Sequence, residues 1–517
     1  MRQEAGRVDT RLNSRSPHNL QSSLENPKNA LEKSLLMEVV CPIDSQFSQQ
    51  ICLLLEPPSS LQVQEHFDGL ITSKQCCGIQ VKPSNDYGKG VYADLDFEEG
   101  DLVLKDQMLF GVQHSSNKID CLVCSFCFRF IGSIELQIGR KLYLQGLGNP
   151  KDCFDLASSD GSDKEDQLEF QQCSSTSSRN KFQLPTECVE SLMHEKLALP
   201  RSMKFPLPSA IICPGGCKEV YYCSKSCAQA DWDLCHSLLC TGEDSKSLSK
   251  KALSKFIEHA NETNDIFLLA AKAVCCTILK YRKLKAAYSK EKEKNPISNG
   301  FGNHSFALLL KAWKPLSMGY KRRWWDCVAL PDDVDTSDET AFRMQIRQLA
   351  FESLELLKAA IFDEECSPLF SLEVYGHIIG MFELNNLDLV VASPVEDYFL
   401  YIDDLPEAEK KEVDEITRPF LNALGEDYSV CCQGTAFFPI QSCMNHSCCP
   451  SAKAFKRDED RDGQATIIAC RPIRKGEEVT ISYIDEDLQL EERQALLADY
   501  GFRCKCPRCT QEEAKIQ

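Results

Sequence analysis

Cysteine constrains this chain more than any other residue: it occupies 29 of 517 positions, and many of those positions are close pairs. Between residues 121 and 240 the ligand-type residues run Cys124-x2-Cys127, Cys213-x3-Cys217, Cys223-x3-Cys227 and His236-x3-Cys240, with 85 residues between the first pair and the second. A further set, Cys504-x-Cys506-x2-Cys509, lies near the end of the sequence. A chain this long is far larger than the small secreted domains that use cysteine as a disulfide framework. Its N-terminal stretch carries Glu4 and Asp9 and lacks the apolar core of a secretory signal. A reducing compartment is therefore expected, in which paired thiols serve as metal ligands more often than as disulfides.

Eight sulfur and imidazole ligands in four close pairs suffice for two tetrahedral zinc ions. Two ligands on one turn lose little entropy when a metal closes the site, which suits a small unit with little core of its own. Spacing leaves two choices open: CLVCSFC offers Cys121 with Cys124 as well as Cys124 with Cys127, and Cys235 competes with His236. The three late cysteines need a fourth ligand, and Cys448 in MNHSCCPS is the natural donor.

Composition removes several function classes. Hydrophobic residues make up 43% and charged residues 26%, ordinary values for a globular protein, so a fibrous or wholly disordered chain is excluded. Basic residues number 58 against 77 acidic, a net charge of -19. Strong direct nucleic-acid binding is not expected from that balance, because phosphate affinity comes from clustered Lys and Arg; an acidic surface suits a basic partner. The longest apolar run, Ile266 to Leu279, is interrupted by Lys272 and is too short to cross a bilayer, so no membrane span is expected.

Along the chain, residues 1–60 are rich in Ser, Gln and Asn and end in Pro57-Pro58, the pattern of a disordered tail. From Gly78 to Phe110 short β-favouring runs alternate around turn residues. Residues 152–181 are an acidic, low-complexity stretch expected to be a mobile loop. Amphipathic helical periodicity dominates 245–425. Strand character returns from Phe437 to Tyr483, and Glu491–Tyr500 reads as a short helix.

Three segments, GKGVYA at 88–93, NHSCCPS at 445–451 and GEEVTISY at 476–483, followed by YGFRCKC at 500–506, resemble the SET domain of protein lysine methyltransferases. CPGGCKEVYYCSKSCAQADWDLCHSLLC resembles the MYND finger. The order of the pieces is that of the SET-and-MYND family, and the chain is similar to its plant trithorax-related members. The implied fold is α+β: a β-rich SET domain in two parts (78–120 and 430–485), split by a MYND-type zinc finger (121–240) and a helical insertion (245–425). A post-SET zinc knot (490–510) closes it.

The resemblance implies interleaved zinc pairing, with Cys124, Cys127, Cys223 and Cys227 on one ion and Cys213, Cys217, His236 and Cys240 on a second. Phe128 after Cys127 favours Cys127 over Cys121. Cys448, Cys504, Cys506 and Cys509 would hold a third ion, all three being structural. S-adenosylmethionine is the implied cofactor, lined by Gly88, Lys89, Gly90, Tyr92, Asn385, Asn445, His446 and Phe502. Tyr483 is the implied catalytic residue and also a cofactor contact, and Tyr500 the wall of the lysine channel. The motif departs from the family at Cys449-Pro450-Ser451, where Pro-Asn is usual.

The expected activity is histone-lysine methylation, most simply of histone H3, in chromatin and transcription regulation. The alternatives are methylation of nonhistone proteins and a catalytically silent adaptor. A basic tail would be drawn by the acidic runs at Asp458–Asp462 and Asp485–Glu492, and Pro-rich peptides by the finger. The expected location is the nucleus, with the cytoplasm as an alternative.

Overall fold

The computed structural model describes residues 40–516 apart from 75, 77, 85–87, 148–183, 243–246, 295–303, 332, 333 and 335. The acidic stretch 152–181 and the tail up to residue 39 lie outside the described residues.

Residues 41–60 correct the reading of 1–60 as a tail. They form α1 (Pro42–Gln46) and α2 (Ser48–Leu55), and α3 (Ser60–Lys74) follows. Cys41, Ile43, Ile51 and Leu54 are buried in the same core as the central helices. Trp313 Nε1 donates to the Leu54 carbonyl at 2.7 Å. These few apolar residues are too widely spaced among Ser and Gln to announce a helix, and the surface that covers them comes from far along the chain.

The strands form three main sheets, each closed by segments from both ends of the chain. β1 (Ile79–Ser84) and β2 (Gly88–Ala93) make an antiparallel hairpin with Val81 opposite Val91. β3 (Leu102–Asp106) and β4 (Phe110–Gln113) follow. The zinc-ligand region carries the short ribbon β5 (Ile211–Ile212) and β6 (Tyr221–Tyr222). Within the expected helical region lies a strand, β7 (Asn386–Val391), whose Leu387, Leu389 and Val391 point inward by simple alternation.

The later strands are β8 (Cys432–Phe437), β9 (Asn445–His446), β10 (Ala452–Ala454), β11 (Ala465–Ala469) and β12 (Glu478–Ile481). The sheet orders are β1-β2-β12-β9, β10-β11-β3 and β4-β8-β7. β9 runs parallel to β12, with Asn445 beside Thr480 and His446 beside Ile481. Asp106, fully buried at the end of β3, accepts from the amides of Ile440 and Gln441 at 2.8 and 3.0 Å and from Lys74 Nζ at 2.7 Å. One carboxylate thus ties α3 and β3 to the loop that leads into β9.

The long helices Leu248–Glu262, Ile266–Lys294, His304–Ser317, Glu339–Ile361 and Leu372–Asn385 bury one large core around Phe267, Trp313, Trp324 and Tyr375. Residues 121–240 do not form one small unit. Ile134, Ile138, Leu192 and Leu199 pack instead with Val395, Tyr398, Phe399, Val413 and Phe420, apart from the core that contains the ligand cysteines of this region.

Leu54 and Leu53 separate a docked helix from a tail. Leu54→Ala should cost about 2–5 kcal/mol of unfolding free energy in a urea titration. Leu53→Ala, half exposed, should stay within about 0.5 kcal/mol.

Candidate active site and metal-ligand clusters

Three groups of four ligand atoms converge, each with its members within 4.8 Å of one another: Cys124, Cys127, Cys223, Cys227; Cys213, Cys217, His236, Cys240; and Cys448, Cys504, Cys506, Cys509. The helix Lys225–Asp231 begins at Ser224, whose hydroxyl accepts from the Cys227 amide at 3.1 Å and so sets Cys223 and Cys227 on one turn. Sulfur separations within the three groups are 3.5 Å (Cys127–Cys223 and Cys223–Cys227), 3.6 Å (Cys213–Cys240), and 3.5 and 3.9 Å (Cys448 to Cys509 and Cys504). Tetrahedral zinc with Zn–S bonds of about 2.3 Å asks for roughly 3.8 Å. The donor sets therefore fit zinc, and a full set of four ligands leaves no open position for chemistry.

The two spacing alternatives separate cleanly. The Cys121 thiol lies outside the clusters, donates to the Val430 carbonyl at 3.7 Å, and is pushed up to about 12 by burial. Cys235 donates to Asp231 Oδ1 at 3.5 Å and is not a cluster member.

The third cluster abuts a cavity of about 530 Å³. Gly88, Lys89, Asn385, Asn445, His446, Tyr483, Tyr500 and Phe502 all line it, although they come from five separate stretches of chain. Asn385, the last residue of its helix, donates from Nδ2 to the Met381 and Tyr320 carbonyls at 2.6 and 2.9 Å. Lys89 Nζ donates to the Met318 carbonyl at 2.7 Å. His446 accepts from the Tyr483 amide on Nδ1 at 3.0 Å, and its Nε2 lies 3.3 Å from Cys448 Sγ. The Tyr483 hydroxyl donates to the Met444 carbonyl at 2.6 Å; burial first, then the nearby Tyr500, Cys443 and Glu478, push its pKa well up, so it is a neutral donor. Tyr483 and Tyr500 rings sit 5.1 Å apart between centroids, and Tyr483 and Phe502 rings 6.3 Å apart. The result is an aromatic wall with one polar handle.

Gly90 and Tyr92 are corrections, since neither lines the cavity. A Cβ on Gly90 would stand 2.5 Å from Glu478 Oε1 and 3.1 Å from Asn445 Nδ2, so this glycine permits a close approach rather than touching a ligand. Tyr92 pairs in register with Glu478 and carries Lys82 Nζ over its ring at 5.2 Å. The run Asp458–Asp462 is also elsewhere. Asp460 is buried on Lys105 and Arg457, while Glu459 and Arg461 border a separate groove with Phe205 and Pro394.

Glu478, Thr480, Tyr320, Ser442 and Cys443 line the cavity as well and were not anticipated. Period-two alternation was the available signal for Glu478 and Thr480, because Val479 and Ile481 between them face the core. Nothing local marks Tyr320. Ser451 replaces the usual Asn without loss of a clasp. It is fully buried, its hydroxyl accepts from the Thr480 amide at 2.9 Å, and its own amide donates to the Thr480 carbonyl at 3.1 Å.

The sequence profile of the SET domain matches residues 88–484, and the chain belongs to the SET-domain family of protein-lysine methyltransferases. It is 63% identical over 480 residues to Histone-lysine N-methyltransferase ATXR2 of Arabidopsis thaliana, covering 93% of this chain and 100% of that protein. It is 24% identical over 307 residues to Protein-lysine N-trimethyltransferase SMYD5 of Gallus gallus, covering 56% of this chain and 64% of that protein. N-lysine methyltransferase SMYD2 of Homo sapiens is 38% identical over 96 residues, 18% of this chain and 21% of that protein. No helix among the described residues is long and apolar enough to cross a membrane.

Elemental analysis of the purified chain should find three zinc ions per molecule. Cys448→Ser should reduce the count to two while the other two clusters keep their metal; an unchanged count would remove Cys448 from the ligand set.

Proposed function

We propose that this chain is a histone-lysine N-methyltransferase acting in the nucleus, with histone H3 as its substrate and S-adenosylmethionine as its methyl donor. Residues 121–240 would then carry a MYND-type finger that docks Pro-rich partner peptides, and Cys448 with Cys504, Cys506 and Cys509 a post-SET zinc knot. The observation that carries the reading is the near-full-length identity to a relative named for histone-lysine methylation. The cavity supports it, because the motif residues meet there.

When bound, S-adenosylmethionine supplies a methyl group on a sulfonium, an electrophile that needs alignment and a neutral amine more than a strong base. Asn445, His446, Lys89 and Asn385, which line the cavity, would hold it, with Phe502 as an aromatic surface beside them. Tyr483 and Tyr500 wall the route by which a lysine would enter. A narrow aromatic channel disfavours an ammonium ion and so lowers the lysine pKa toward the reactive amine. The Tyr483 phenol, neutral and anchored on Met444, orients the amine at its oxygen without adding a full charge.

A second reading, methylation of nonhistone proteins, is favoured by the match to SMYD5, a relative named only for protein lysine. A silent adaptor is less well supported, because Tyr483, Asn445 and His446 are retained and all line the cavity.

Zinc-loaded protein incubated with methyl-labelled cofactor should label histone H3. Tyr483→Phe should lower the turnover by about 10²-fold, the usual scale for losing one positioned hydrogen-bonding group. Unchanged labelling in that variant would overturn the assignment of Tyr483, and labelling of nonhistone proteins alone would replace H3 as substrate.

A further inference from the structure

Glu478 opens β12, opposite Tyr92 of β2, with its side chain facing the cavity. Its Oε1 accepts from Asn445 Nδ2 at 2.7 Å, and the same nitrogen donates to the Lys89 carbonyl at 3.0 Å. Both hydrogens of the Asn445 amide are thereby engaged, so Asn445 can offer a ligand only its Oδ1, an acceptor. The missing side chain at position 90 makes room for this carboxylate, since a Cβ there would come within 2.5 Å of Oε1. Among the described lining residues Glu478 is the sole carboxylate. The thiols of Cys504 and Cys506 belong to their metal-ligand cluster; of the two lining lysines, Lys89 donates to the Met318 carbonyl and Lys505 lies between those two cysteines, so the side of the cavity formed by Glu478 and Asn445 is the one without a cation of its own. A carboxylate and an amide that only accepts together make a corner suited to a cation or an ammonium donor.

We propose that Glu478 is a positioning residue that fixes the Asn445 amide and makes the cavity prefer the cationic methyl donor to the neutral thioether left after transfer. The inference rests on the reading of S-adenosylmethionine as cofactor. In the transfer the sulfur–methyl bond breaks as the lysine nitrogen lone pair forms the new carbon–nitrogen bond. The positive charge leaves sulfur for nitrogen, and the bonding pair stays on sulfur as a neutral thioether. A fixed negative charge near the sulfonium therefore weighs the two cofactor forms differently, whereas the α-ammonium is common to both. That difference favours binding of the donor and release of the product.

The test is isothermal titration of the full-length, zinc-loaded chain with S-adenosylmethionine and, separately, with S-adenosylhomocysteine. Glu478→Gln keeps the acceptor for Asn445 and removes the charge; it should weaken the donor by roughly tenfold and the thioether by less than about threefold, the scale of one charge at a partly solvated site. Equal loss for both ligands, or no loss for either, would overturn the proposal while leaving the cofactor reading intact. If the wild-type chain bound neither ligand, the cofactor reading would fall and this inference with it. Should the Gln variant melt early, Glu478→Asp carries the test: it keeps the charge and should keep the donor preference, and a folded Asp variant without that preference counts against the proposal.

Discussion

The structure depends on one long-range closure, the insertion of β12 between β2 and β9. An early hairpin and two late segments meet there, with the first two metal-ligand clusters, the helices and β7 strung between them in sequence. The closure is possible because loop entropy rises only logarithmically with length, so even a very long insertion costs little more than a moderate one. It also demands close backbone approach. Gly90 supplies the space on β2, Asn445 bridges the Lys89 carbonyl and Glu478, and Ser451 grips the backbone of Thr480. Remove that junction and the motif residues have no reason to share a cavity.

The metal-ligand cluster nearest the cavity is part of the same junction. Cys448 lies two residues beyond His446, and Cys504 and Cys506 flank Lys505 on the cavity wall. Arg493, buried between this cluster and Glu512, donates to Cys509 Sγ at 3.8 Å and holds the last helix against it. A metal bound by Cys448 and the three late cysteines would therefore hold Tyr500 and Phe502 where they complete the aromatic wall. Metal binding at this cluster would then couple to assembly of the site, as expected when binding free energy is also folding free energy.

Particular residues show where sequence reasoning reached and where it stopped. The paired cysteines were legible because short spacing is itself the physics of chelation, and the order of GKGVYA, NHSCCPS and GEEVTISY was legible as a resemblance. Cys121 against Cys127 stayed open in spacing alone, since both choices have the same gap; their distance from Cys223 decides it. The helices at 42–55 were missed because their few apolar residues find cover in a core built by helices far along the chain, where Trp313 also donates to the Leu54 carbonyl. The Asp458–Asp462 run was misplaced because charge in sequence carries no information about which face of the fold it reaches.

The sequence by itself determined the chemistry available: twelve soft or imidazole ligands, eight in four close pairs and three in one short run with Cys448 upstream, and a tyrosine motif recognisable by resemblance. These are properties of residue type and local spacing, which survive without knowledge of the fold. Only the tertiary structure decided that Glu478 faces the cavity, that Gly90 and Tyr92 do not line it, and that Ser451 hydrogen-bonds the backbone of Thr480. Those outcomes depend on strand register across β2, β12 and β9, and register is fixed by contacts between segments that no local pattern connects.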